Sequence, residues 1–136
     1  MAHLFLNGCL IPASALKPGE KVKDVTIADL GAGNQPIDMV PYKKDGHDYI
    51  LIANSSRGLV KLRADSLENY AAIDSPAKVD GAAGVPYDTL SLKNVQQLAG
   101  VDGTTAVVLI GKPGPGPSFN PGNPVGPLIL QTIALP

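Results

Sequence analysis

Glycine and proline punctuate this chain more heavily than anything else in it, with 15 Gly and 13 Pro among 136 residues. A proline inside a helix removes a backbone donor, and a glycine there costs about 1 kcal/mol relative to alanine. Residues spent this way go to turns and loops, and few are left for long helices. The expectation is therefore an all-β protein. Its 136 residues would fit one ordinary domain of roughly 100–150 residues.

Hydrophobic periodicity fills the intervals between the turns. Ile37 to Tyr42 alternates, Lys43-Lys44-Asp45-Gly46 supplies a turn, and Tyr49-Ile50-Leu51-Ile52-Ala53 is a β-branched run. Asp-Gly between two such runs is a strong hairpin signal, because a tight primed turn needs positive φ at its central residues. Asn54 to Gly58 makes the next connection, Leu59 to Arg63 alternates again, and Tyr70-Ala71-Ala72-Ile73 reads as a short fourth strand before Asp74-Ser75-Pro76. The pattern then recurs. Val85 to Leu90 and Val95 to Val101 are followed by an Asp102-Gly103 turn, Thr104 to Ile110 is β-rich, and Leu128 to Ile133 closes the series. Val25 to Leu30, with His3 to Leu6, supplies leading strands.

The spacing from Pro36 to Val85 falls in the range of roughly 40–50 residues per propeller blade, each blade being a four-stranded antiparallel sheet. This predicts an antiparallel, propeller-like architecture of about two four-stranded units plus leading strands. The division is 1–35 leading strands and linker, 36–80 first unit, and 81–136 second unit carrying a Pro/Gly-rich arm at 111–127.

The stretch Asn34-Gln35-Pro36-Ile37-Asp38-Met39-Val40, with Tyr49 to Gly58 after it, resembles the closing blades of bacterial β-propeller proteins of largely uncharacterised role. Leu16-Lys17-Pro18-Gly19 and Val25 to Gly31 sit where that family carries its preceding strand, so the resemblance covers roughly residues 9–110. It implies a fold rather than an activity and transfers no catalytic residue. A periplasmic or extracellular location follows from it alone. A ring closes with about 4–8 blades, so two blades imply partner chains, either different polypeptides or further copies.

Composition and motifs argue against most other classes. Eleven Lys+Arg against twelve Asp+Glu give no field that would steer the chain to nucleic acid or an anionic membrane. No apolar run reaches the roughly 18 residues of a membrane span, and the start of the chain has no basic region ahead of its apolar stretch, as a signal peptide would. Gly31-Ala32-Gly33 opens like a dinucleotide fingerprint, but Pro36 stands where the third glycine belongs and a strand follows. His3 and His47 are the only histidines; Asp45, His47 and Asp48 read as a solvated turn, since a catalytic metal needs three or four converging ligands. Ser55 and Ser56 lack a nucleophile elbow. No cofactor is implied.

Some residues remain as candidates. Asp38 and Asp88 both begin strands that would be innermost in a blade, where they could hold a cation or polar ligand in a central channel; the alternative is that each caps nearby backbone N–H groups. Arg57 could clamp a carboxylate or phosphate, or simply be solvated. Cys9, in an apolar setting, reads as a buried inert thiol, with an intermolecular disulfide as the interface alternative and a reactive thiol as a third. In the arm, Pro113, Pro115, Pro117, Phe119 and Pro121 would contact a partner if the segment is extended, or form a solvated insert otherwise. The expected function is a non-catalytic structural or binding subunit completing a β-assembly. The alternatives are a chain lending channel residues to a multichain redox enzyme or hydrolase, and a protomer of an extracellular filament or shell.

Overall fold

In a computed structural model the protein is described at residues 5–11, 13–22, 24–32, 34–65, 67–73, 83–111 and 126–136. Ten strands are present there: β1 (Phe5–Leu10), β2 (Val25–Ala32), β3 (Pro36–Lys44), β4 (His47–Asn54), β5 (Gly58–Arg63), β6 (Ala83–Gly84), β7 (Tyr87–Leu90), β8 (Val95–Gly100), β9 (Thr105–Gly111) and β10 (Leu128–Ala134). The helical residues among those described are two 3-10 turns, Ala13–Ala15 and Leu67–Asn69. Every strand pairing is antiparallel. The all-β, antiparallel expectation is what the chain shows.

The strands divide between two units that are discontinuous in sequence: Met1–Gly33 with Ser66–Pro86, and Asn34–Asp65 with Tyr87–Pro136. The first holds a three-stranded sheet in the order β1-β2-β6. Its centre is β2, whose Ile27, Ala28, Asp29 and Leu30 are all buried. Asp29 is accommodated there in part because its Oδ1 accepts the Gly31 N–H at 2.8 Å. Gly84 in β6 cannot be another residue without strain: its φ is +83°, and a Cβ would lie 1.9 Å from the Ile27 carbonyl oxygen.

The second unit contains two sheets, β3-β4-β5-β7 and β10-β9-β8. Tyr42, Leu51, Ala53 and Leu59 of the first pack with Val95, Leu98, Ala106, Val108 and Leu135 of the second region in one core. The β3–β4 hairpin turns through Asp45 (φ 52°) and Gly46 (φ 80°), the primed geometry that Asp-Gly favours. The Asp102-Gly103 turn works differently. Gly103 is not at positive φ, and the Asp102 carboxylate instead accepts the Thr104 N–H and the Thr104 hydroxyl, both at 2.8 Å.

Two details depart from the sequence reading. Tyr70–Ile73 is not a strand; Ala71 and Ala72 are weak strand formers and exposed, and Ile73 only donates its N–H to the Thr26 carbonyl at 2.8 Å. The fourth strand of the sheet is β7, taken from the run expected to open a second unit, and it pairs with β5. Consequently one sheet has four strands and the other two have three each.

Candidate functional site

The chemistry-bearing residues singled out from the sequence do not converge. Asp38 lies on β3 and Asp88 on β7, the two opposite edges of the four-stranded sheet, so three strand spacings, about 14 Å, separate their backbones. Asp38 is half-buried and bonded to backbone: Oδ1 accepts the Met39 N–H at 2.9 Å and Oδ2 accepts the Leu98 N–H of β8 at 3.0 Å. Asp88 is exposed and stands opposite Lys61 in the β5–β7 pairing. The Arg57 guanidinium lies 5.6 Å from the centroid of the Tyr87 ring, close enough for a cation–π contact.

Cys9 is exposed rather than buried, which corrects the expectation of a buried thiol. Its sulfur stands at the solvent-exposed surface beside the Thr26 hydroxyl, 3.7 Å away on β2. Hydrogen bonding to the Asp24 carboxylate and then desolvation raise its pKa above the ordinary thiol value, opposite to the direction that activates a cysteine. The arm residues Pro113, Pro115, Pro117, Phe119 and Pro121 lie outside the described residues.

A polar cluster absent from the sequence reading gathers beside the β3–β4 turn. His47 Nδ1 lies 2.9 Å from Asp65 Oδ2, which also accepts from Arg63 Nε at 2.7 Å, while Asp65 Oδ1 accepts the Asp48 N–H at 2.9 Å. The backbone bond from Asp48 and the Arg63 guanidinium hold the Asp65 carboxyl down at about 2. Next to the cluster, Lys43 Nζ meets Asp48 Oδ1 at 2.7 Å, Tyr42 and Tyr49 stack with centroids 5.4 Å apart, and Lys61 Nζ lies 5.0 Å from the Tyr49 ring centroid. An open depression of about 450 Å³ runs past Tyr42, Lys43, Asp48, Tyr49 and Ala64. The pairs Lys43–Asp48, His47–Asp65 and Arg63–Asp65 brace the base of the hairpin. Among the described residues no three His, Cys, Asp or Glu side chains are placed to hold a metal, and no helix is long and apolar enough to cross a membrane.

Asn54, which opens the Asn54-Ser55-Ser56 glycosylation triplet, is 2% exposed. Its Oδ1 accepts the N–H groups of Ser56 and Arg57, both at 3.0 Å. The side chain is buried and closes the β4–β5 turn, out of reach of a glycosyl donor.

The surface that stands out is the edge strand β10. Leu128, Ile129 and Leu130 are 46, 40 and 69% exposed, and among the described residues β10 pairs on one side only, with β9. Which groups face the open side follows from the register. The Leu135 N–H donates to the Thr104 carbonyl at 2.8 Å, and bonded pairs alternate along an antiparallel ladder. Positions 129, 131 and 133 therefore bond to β9, and the backbone groups of Leu128, Leu130, Thr132 and Ala134 point outward. The opposite side of β9 agrees, since there the Thr105 carbonyl accepts from Val101 and the Gly111 N–H donates to Asn94. No family, curated protein or solved structure matches the chain.

Proposed function

We propose that this chain is a non-catalytic structural or binding subunit that completes a larger β-assembly, a propeller ring or an extended sheet, with partner chains. The observation that carries the reading is the unequal treatment of the sheet edges in the second unit. An unpaired edge is a template for strand addition, and proteins block it with prolines, lysines, bulges or short strands. Edge strand β3 carries Pro36, Pro41, Lys43 and Lys44 and a register shift. Edge strand β7 is four residues long and follows Pro86. Edge strand β8 has a register shift, and Asp38 occupies its Leu98 N–H. Strand β10 also follows a proline, Pro127, but it is seven residues long, its Leu-Ile-Leu-Gln-Thr-Ile-Ala contains no proline and no charge, and its pairing with β9 runs without a shift.

The resemblance to propeller blades supports the same reading, because a single four-stranded sheet leaves a ring of about 4–8 blades incomplete. Sedimentation of the purified chain, with native mass measurement of what co-purifies from its source cells, tests the proposal. An assembly larger than one chain is expected. A folded monomer at every concentration with no accompanying chain would overturn it.

A further inference from the structure

Among the described residues the edge of β10 away from β9 is open. We propose that it pairs antiparallel with β10 of a second copy of this chain, about a twofold axis at Gln131, joining two three-stranded sheets into one of six. This rests on the reading of the chain as an assembly subunit and names its partner.

Self-complementarity is the argument. An antiparallel partner must offer outward backbone groups to outward backbone groups, which on β10 belong to Leu128, Leu130, Thr132 and Ala134. If Gln131 faces Gln131 of the second copy, Leu130 falls opposite Thr132 and Leu128 opposite Ala134. Every outward N–H and C=O then meets an outward partner, and all seven residues of the strand are used. Positions 129, 131 and 133 become the non-bonded pairs, Ile129 opposite Ile133 and Gln131 opposite itself, the arrangement in which Cα atoms are only about 4.5 Å apart.

Charge points the same way. Residues 126–136 carry no charged side chain, so two copies meet without like-charge repulsion, and the strand offers nothing to select a charged partner. The side chains that stand beside the junction extend an apolar outer face. Leu128, Leu130, Thr132 and Ala134 share it with Gly111, Leu109, Val107 and Thr105, their respective partners on β9, and none of these is charged. A twofold contact of this kind is isologous and closes on itself, so it yields a dimer and not a fibre.

The test uses the axis residue. Gln131→Lys and Gln131→Glu each place like charges directly opposite one another, which costs up to about 1 kcal/mol and weakens the dimer roughly fivefold in sedimentation equilibrium. An equimolar mixture of the two variants regains at least the original affinity, because the charges are then opposite. Thr132→Pro removes an outward donor that β9 does not use, and abolishes the dimer while far-UV circular dichroism stays unchanged. If that variant misfolds, the charge exchange at the exposed Gln131 still decides. A dimer that is indifferent to both Gln131 substitutions and shows no recovery on mixing overturns the β10 pairing and leaves the subunit reading standing. A chain that is monomeric but assembles with a different polypeptide overturns it likewise. A chain that is monomeric and without any partner overturns both.

Discussion

Asp38 on β3 accepts the backbone N–H of Leu98 on β8 at 3.0 Å, so one carboxylate ties the edge of one sheet to the edge of the other. Leu98 itself is buried, at 4% exposure. A buried N–H with no acceptor carries a desolvation penalty of about 1–3 kcal/mol. Asp38→Ala is expected to lower unfolding stability by about that amount, and Asp38→Asn, which keeps one acceptor oxygen, by less. Urea denaturation of the three proteins measures this. Equal stability in all three would show that the bond contributes nothing.

Gly84→Ala meets two obstacles at once, a left-handed backbone at φ +83° and the Ile27 carbonyl oxygen 1.9 Å from the new Cβ. Each strained conformation of this sort costs about 1–3 kcal/mol, and the contact with rigid backbone adds to it. Gly46→Ala serves as the comparison, since Gly46 shares the positive φ (+80°) but has nothing within 4 Å of a Cβ. Thermal denaturation should rank Gly84→Ala well below Gly46→Ala. The reverse order would contradict the tight β2–β6 approach.

Acid should weaken the hairpin base in a defined range. Asp65 is held at about 2 in the folded protein against an ordinary 3.8. A carboxylate lowered by folding contributes stability above its unfolded pKa and loses it as pH falls through the folded value. The loss therefore falls between about pH 4 and pH 2. Carboxyl titration by NMR should find Asp65 titrating near the bottom of that range, and Arg63→Ala should move it upward. An Asp65 that titrates near 4 in the intact protein would disprove the network.

Alkali acts on a neighbouring group of the same unit. Burial, followed by the neighbouring Tyr49, pushes the Tyr42 hydroxyl up from 10.0 to about 12, and that hydroxyl donates to the Pro136 carbonyl at 2.7 Å. An acid whose pKa is raised by folding stabilises the protein below the unfolded value and loses that contribution as pH rises through the folded one. Stability should decline between about pH 10 and pH 12. Phenolate absorbance should contain a late component from Tyr42. Tyr42→Phe should remove that late component.

Local chemistry was legible in the sequence wherever a single residue decides the outcome. Asp45-Gly46 predicts its hairpin because few other residues accept φ of 52° and 80° in succession. The runs that became β2, β4, β5, β8 and β9 were visible from hydrophobic alternation and β-branched content. Pairing between distant segments was not. That β7 rather than Tyr70–Ile73 completes the β3-β4-β5 sheet depends on a long excursion of chain, which periodicity does not encode. The His47, Arg63 and Asp65 cluster was hidden for a related reason: the Asn54–Gly58 turn makes β4 and β5 neighbours, but only their exact register, with Tyr49 opposite Arg63, brings His47 to Arg63 and Asp65. The openness of β10 had a readable sign, an uncharged and proline-free strand. Its meaning emerged only once the other edges were seen to be blocked.

The two units are interleaved along the chain: the first is left at Gly33 and resumed at Ser66, and the second is left at Asp65 and resumed at Tyr87. Ribosomal synthesis therefore makes the β3-β4-β5 meander before the first unit receives β6, and β5 must wait more than twenty residues for β7. Until Leu90 has been made, Leu59, Val60 and Leu62 of β5, all buried in the finished protein, have an unpaired flank. The nascent chain thus passes through an interval in which a strand with three buried apolar side chains is itself an open edge, and the order of translation sets when aggregation competes with folding.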